Sequence, residues 1–142
     1  MWYDNIYFYK GGGSTATEPT SAAPTPPARE AADVISLFSN AYTNETIGTW
    51  SADWDDSDVA DVQVAGDDVK KYTFTNFAGI DFSSNKLDAS GMTHFHIDIW
   101  TPDAVESKSF TIKNVDFGGG NAEASSYILT VEHTPKGDIR SE

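Results

Sequence analysis

Thr93-His94-Phe95-His96-Ile97-Asp98-Ile99-Trp100 is the stretch on which the fold turns. Its alternation puts Phe95, Ile97 and Ile99 on one face and His94, His96, Asp98 and Trp100 on the other, the period-two pattern of a half-buried strand. Thr101-Pro102-Asp103 ends it. Upstream, Val59 to Ala65 alternates weakly and Gly66-Asp67-Asp68 turns the chain into Val69-Lys70-Lys71-Tyr72-Thr73-Phe74-Thr75, which predicts a hairpin with Tyr72 and Phe74 on its core face. Gly79-Ile80-Asp81-Phe82 is a shorter element, and residues 85–91 form a loop. Downstream, Lys108 to Phe117 and Ser126 to Glu132 predict a second hairpin across Gly118-Gly119-Gly120-Asn121. Many short strands and glycine-rich turns predict an all-β chain, an antiparallel β-sandwich or jelly roll with Phe95, Ile97 and Ile99 in its core. No strand alternates with a long helix, which argues against a doubly wound α/β fold.

Three segments follow from composition. Residues 1–10 read as an aromatic strand in which Trp2, Ile6 and Phe8 are the assembly residues, a surface too apolar to stay in water and too short to fold alone. Residues 11–30 form a linker of glycine, then Thr, Ser, Ala and Pro, with no periodic apolar face. From Lys10 to Glu30 the 21 residues can span roughly 60 Å, enough to return the strand to its own body or carry it to a neighbour. Residues 31–142 are the sandwich module, expected to lack its C-terminal strands because the segment from Thr134 to Glu142 would normally turn toward another strand, yet the chain stops. An incomplete sandwich exposes backbone N–H and C=O groups that a strand from elsewhere can pair. Within the module, residues 32–42 read either as a short helix capped by Asp33 or as an irregular edge segment.

The chain has 142 residues, 39% of them hydrophobic, consistent with one core. Nine basic against 22 acidic residues give a net charge of −13, which opposes binding to nucleic acid and to anionic lipid. There is no apolar run long enough to span a bilayer, and the polar, aromatic start does not read as a signal peptide. With no cysteine, disulfides and thiol chemistry are excluded. The acidity suits a secreted, extracellular or cell-surface location.

Candidate sites divide between ligand contact and plain packing. Trp50 and Trp54 lie in a polar, acidic loop, where an indole is either an anchor beneath the loop or a platform on which a sugar ring stacks. Trp100 points into a groove or covers a sheet face. His94, His96 and Asp98 share one face and could meet a metal or a polar sugar surface, or simply fill space between strands. Asp55, Asp56, Asp58, Asp67 and Asp68 offer oxygen for a structural calcium or are solvated charge. Glu and Asp are too abundant to mark a hydrolase. Without G-x-S-x-G, a phosphate loop or H-E-x-x-H, no enzyme is expected. Asn44-Glu45-Thr46 is a glycosylation sequon that marks an exposed loop.

Pro24-Thr25-Pro26-Pro27-Ala28-Arg29, Val34 to Tyr42, Gly79-Ile80-Asp81-Phe82 and Ser90 to Pro102, taken in order, resemble a module repeated in secreted proteins of Bacteroidetes-type and related marine bacteria, often beside glycoside hydrolase domains. The resemblance covers most of residues 24–133. It implies a carbohydrate-binding-like module with a galactose-binding-type β-sandwich, and a closing strand similar to Trp2-Tyr3-Asp4-Asn5-Ile6-Tyr7-Phe8-Tyr9-Lys10. Here that strand comes first. The resulting expectation is a non-catalytic carbohydrate-binding module holding polysaccharide through Trp50, Trp54, Trp100, His96 and Asp98. The alternative is a structural or adhesive repeat that assembles head to tail with neighbouring copies by strand donation, as a homo-oligomer or filament.

Overall fold

The computed structural model describes residues 2–3, 17–74, 76–104, 108–118, 120 and 122–132. Contacts divide the chain into two units, the described residues 2–3 with 17–102, and those from 103 to 132.

The first unit is built on a hairpin of β2 (Ser57–Val64) and β3 (Asp67–Phe74), paired in register from Val64↔Asp67 to Ser57↔Phe74. Ala65 and Gly66 make the two-residue turn, with φ of 51° and 89°. Positive φ at both positions is the primed geometry that matches strand twist. Directly opposed residues share a face, so Val62 and Val69 lie on one side and Asp61, Lys70, Val59 and Tyr72 on the other. Both sides are covered. Val64 and Val69 form a small core against Val62 and Trp100. On the opposite side Tyr72 is fully buried and donates its hydroxyl to the Trp50 carbonyl at 2.5 Å. Burial, then the charges of Asp55 and Asp61, pushes the Tyr72 hydroxyl well above its usual range.

Two short strands complete this sheet. β1 (Trp2–Tyr3) lies antiparallel to β3 through Trp2↔Lys71 and Tyr3↔Lys70, and antiparallel to β4 (Ile99–Trp100) through Trp2↔Trp100 and Tyr3↔Ile99. The order is β2-β3-β1-β4. The second unit is a hairpin of β5 (Ser109–Asp116) and β6 (Ser125–Glu132), paired from Asp116↔Ser125 to Ser109↔Glu132.

The expected β-sandwich or jelly roll of galactose-binding-like type is therefore corrected. Among the described residues two separate small antiparallel sheets form, one of four strands and one of two, and long irregular segments flank them. The closed module implied by the family resemblance is corrected with it. The strand expected over 93–100 is reduced to Ile99–Trp100, the two residues that find a partner in β1. Its faces are also not as the alternation suggested, since Phe95 is 38% exposed and Asp98 only 6%. Elsewhere, polar side chains satisfy backbone groups that a ladder would otherwise take, as Asp81 does for Ser83 N–H and Asp88 for Ser90 N–H. Of the two readings of 32–42 the irregular one forms, after a single helical turn at Ala31–Asp33. That loop is closed by Glu45 N–H donating to the Ser36 carbonyl and Ser36 Oγ donating to Asn44 Oδ1, both at 2.7 Å. Ile6, Phe8, Gly119, Asn121 and residues 133–142 lie outside the described residues.

Candidate functional site

Asp55 organises a densely bonded loop. Gly79 N–H, Ala52 N–H and the Ser57 hydroxyl donate to Oδ2 at 2.7, 3.1 and 2.8 Å, while Ser57 N–H donates to Oδ1 at 3.0 Å. The Ser51 hydroxyl stands 3.2 Å from the same Oδ1. Desolvation pushes this carboxyl up, but the bonds from Gly79, Ser57 and Ser51 outweigh it and hold Asp55 down at about 2. The next residue repeats the device, with Asp56 Oδ1 accepting from Phe77 N–H at 2.8 Å and Asn76 N–H at 3.3 Å. Backbone bonds between Ala52 N–H and the Gly79 carbonyl at 3.0 Å, and between Thr49 and Asp81 in both directions at 2.9 Å, lock the 49–56 and 76–81 segments together.

The clamp displays an aromatic pair. Trp54 and Phe77 stack with centroids 6.2 Å apart and planes 19° from parallel, at 63% and 43% exposure. The indole also covers Gly79 so closely that a Cβ there would come within 2.4 Å of the ring. Glycine is what lets the ring lie on the backbone.

The other tryptophans do different work. Trp50 is half-buried and meets Phe38 edge-on at 5.7 Å. Lys70 Nζ stands 5.0 Å from the Phe38 centroid and 4.8 Å from that of Trp50, and pairs with Asp61 Oδ1 at 2.5 Å. Two rings and a carboxylate thus hold a lysine that is 9% exposed. Phe38, Asp61 and Lys70 also line a shallow hollow with Val62, Gln63, Asp68 and Val69. Trp100 packs on the valine core. His96 Nε2 and Asp98 Oδ2 are 2.9 Å apart, a bond that accompanies the burial of Asp98, while His94 Nδ1 meets Thr93 Oγ1 at 2.7 Å.

Carbohydrate binding by aromatic stacking is corrected on this geometry. Trp50, Trp54 and Trp100 are distributed over three packing tasks and form no common platform, and the sandwich that would have carried one is not present. Among the described residues no group of three or more His, Cys, Asp or Glu stands close enough to share a metal ion. Phe77, Lys70 and the clamping role of Asp55 were not singled out from sequence. The readable signal was Asp55-Asp56-Ser57, an Asx-turn pattern ahead of a strand.

A second candidate site is the seat of β1. It is made by the backbones of Lys70–Lys71 and Ile99–Trp100, which take Trp2–Tyr3 between them. The described part of the linker touches the body through Lys71 Nζ to Glu18 Oε1 at 3.3 Å and through the Tyr42 hydroxyl, which donates to the Pro27 carbonyl at 2.5 Å. No family model, curated protein or solved structure matches this chain.

Proposed function

We propose that this chain is an interaction module whose working part is the seat between β3 and β4, and that a neighbouring copy of the chain is the partner able to fill it with its own N-terminal strand. The observation that carries this reading is the central place of β1 in the order β2-β3-β1-β4. β4 joins the sheet through β1, so an empty seat strands two backbone edges at once. The strand that fills it is connected by a proline-rich linker that suits exchange between copies, because the same contacts form whether the strand arrives from its own chain or the next. A net charge of −13 fits a secreted or cell-surface setting and disfavours nucleic acid and anionic lipid as partners. No catalysis is ascribed to the module.

The test mixes the full chain with a variant lacking residues 1–10. The variant is expected to be less stable in denaturant and to recover stability on capturing the strand of the full chain, with a mass by light scattering that reports the complex. A full chain that stays monomeric at millimolar concentration and rescues nothing overturns exchange between copies. A variant as stable as the parent overturns the seat itself.

A further inference from the structure

We infer that the exposed Trp54–Phe77 pair is a docking surface for an arginine-bearing segment of a protein partner. The chain contains an internal version of the same arrangement. Lys70 lies over Phe38 and Trp50 at 5.0 and 4.8 Å with Asp61 on its ammonium, so a buried cation, two half-buried rings and an exposed carboxylate already form one group. At the outer loop the rings and carboxylates recur. Trp54 lies on Gly79, whose N–H is bonded to Asp55, and Phe77 N–H is bonded to Asp56. Negative charge is thereby fixed to the backbone immediately beside both rings, and the exposed Asp53 and Asp58 flank the same loop. The cation is what differs. Among the described residues none lies over Trp54 or Phe77.

A guanidinium suits this site better than an ammonium, because its plane can lie against an aromatic face while its N–H fork reaches a carboxylate. The charge of −13 adds long-range attraction for a basic partner, and the rings supply what charge alone does not, a preference for arginine over lysine. The strand seat plays no part in this site.

The probe is a synthetic peptide of alternating arginine and glycine, titrated calorimetrically into the full chain at about 0.15 M salt, where distant charges are screened. The lysine–glycine peptide serves as its control. Replacing Trp54 and Phe77 together by leucine keeps every charge and the apolar bulk but removes the π faces. Loss of one good cation–π contact corresponds to roughly threefold to thirtyfold weaker binding of the arginine peptide. Equal affinity of parent and double variant, equal affinity for the two peptides, or no binding to the parent each overturns the proposal. Should the double variant not fold, the Trp54 indole N–H resonance of the parent decides the matter, since a shift on adding the arginine peptide supports the site and an unmoved resonance refutes it.

Discussion

The β2–β3 and β5–β6 hairpins are of equal strand length and are paired along their whole extent, yet their side chains fare very differently. In the first, Val64, Val69, Lys70 and Tyr72 are buried, on both faces. In the second, no described residue is buried, and Tyr127 and Ile128 are 67% and 59% exposed. Pairing alone does not account for the difference, since both ladders are intact. What the first hairpin has in addition is chain laid across it, with Trp100 on one side and Phe38 and Trp50 on the other. A two-stranded ribbon is marginal in water until something covers a face.

The largest test of that contrast is a pair of alanine variants. Tyr72→Ala should lose about 3–5 kcal/mol, the range for emptying a buried aromatic site. Tyr127→Ala should stay within about 0.5 kcal/mol. Denaturant titration measures both, and comparable losses would mean that the second hairpin is as well supported as the first.

Next comes Asp55→Asn, which should lower the melting temperature by several degrees, because the amide nitrogen cannot accept from Gly79 and Ala52. Acid should mimic it. Asp55 titrates at about 2 in the folded chain against an ordinary 3.8, so its contribution is present above pH ~4 and is lost as the pH falls through ~2. Melting curves between pH 5 and 2 should therefore fall more steeply for the parent than for the asparagine variant. Parallel curves would remove Asp55 as the clamp that holds the loops over the first hairpin.

The smallest effect is a gain. Ala65 sits at φ 51°, where a Cβ is strained by about 1 kcal/mol or more and asparagine is better tolerated. Ala65→Asn creates the Asn-Gly turn and should add up to about 1 kcal/mol. A loss in the same titration would show that the turn is not what sets the register of β2 and β3.

What could be read in advance follows the same division. Residues 59–75 announced a hairpin, and one forms, although its turn is Ala65–Gly66 and one residue earlier than Gly66-Asp67-Asp68 suggested. The alternation puts Tyr72 on a core face, and it is buried; the Phe74 side chain lies outside what is described. The second hairpin was legible from 108 to 132 for the same reason, local alternation around a glycine turn. Residues 93–98 alternate more regularly than either and form no strand, because a strand needs a facing backbone and that information is not local. The site was less legible still. Lys70 buried between rings, and Asp55 held by loops 24 residues apart in sequence, depend on contacts that no periodicity encodes.

The place of β1 has a mechanical consequence. Among the described residues it pairs through Trp2 and Tyr3 with β3 on one side and β4 on the other. Tension applied along the linker therefore meets the sheet at β1, between β3 and β4, and not at the β2–β3 ladder, while Trp100 packs β4 on the valine core.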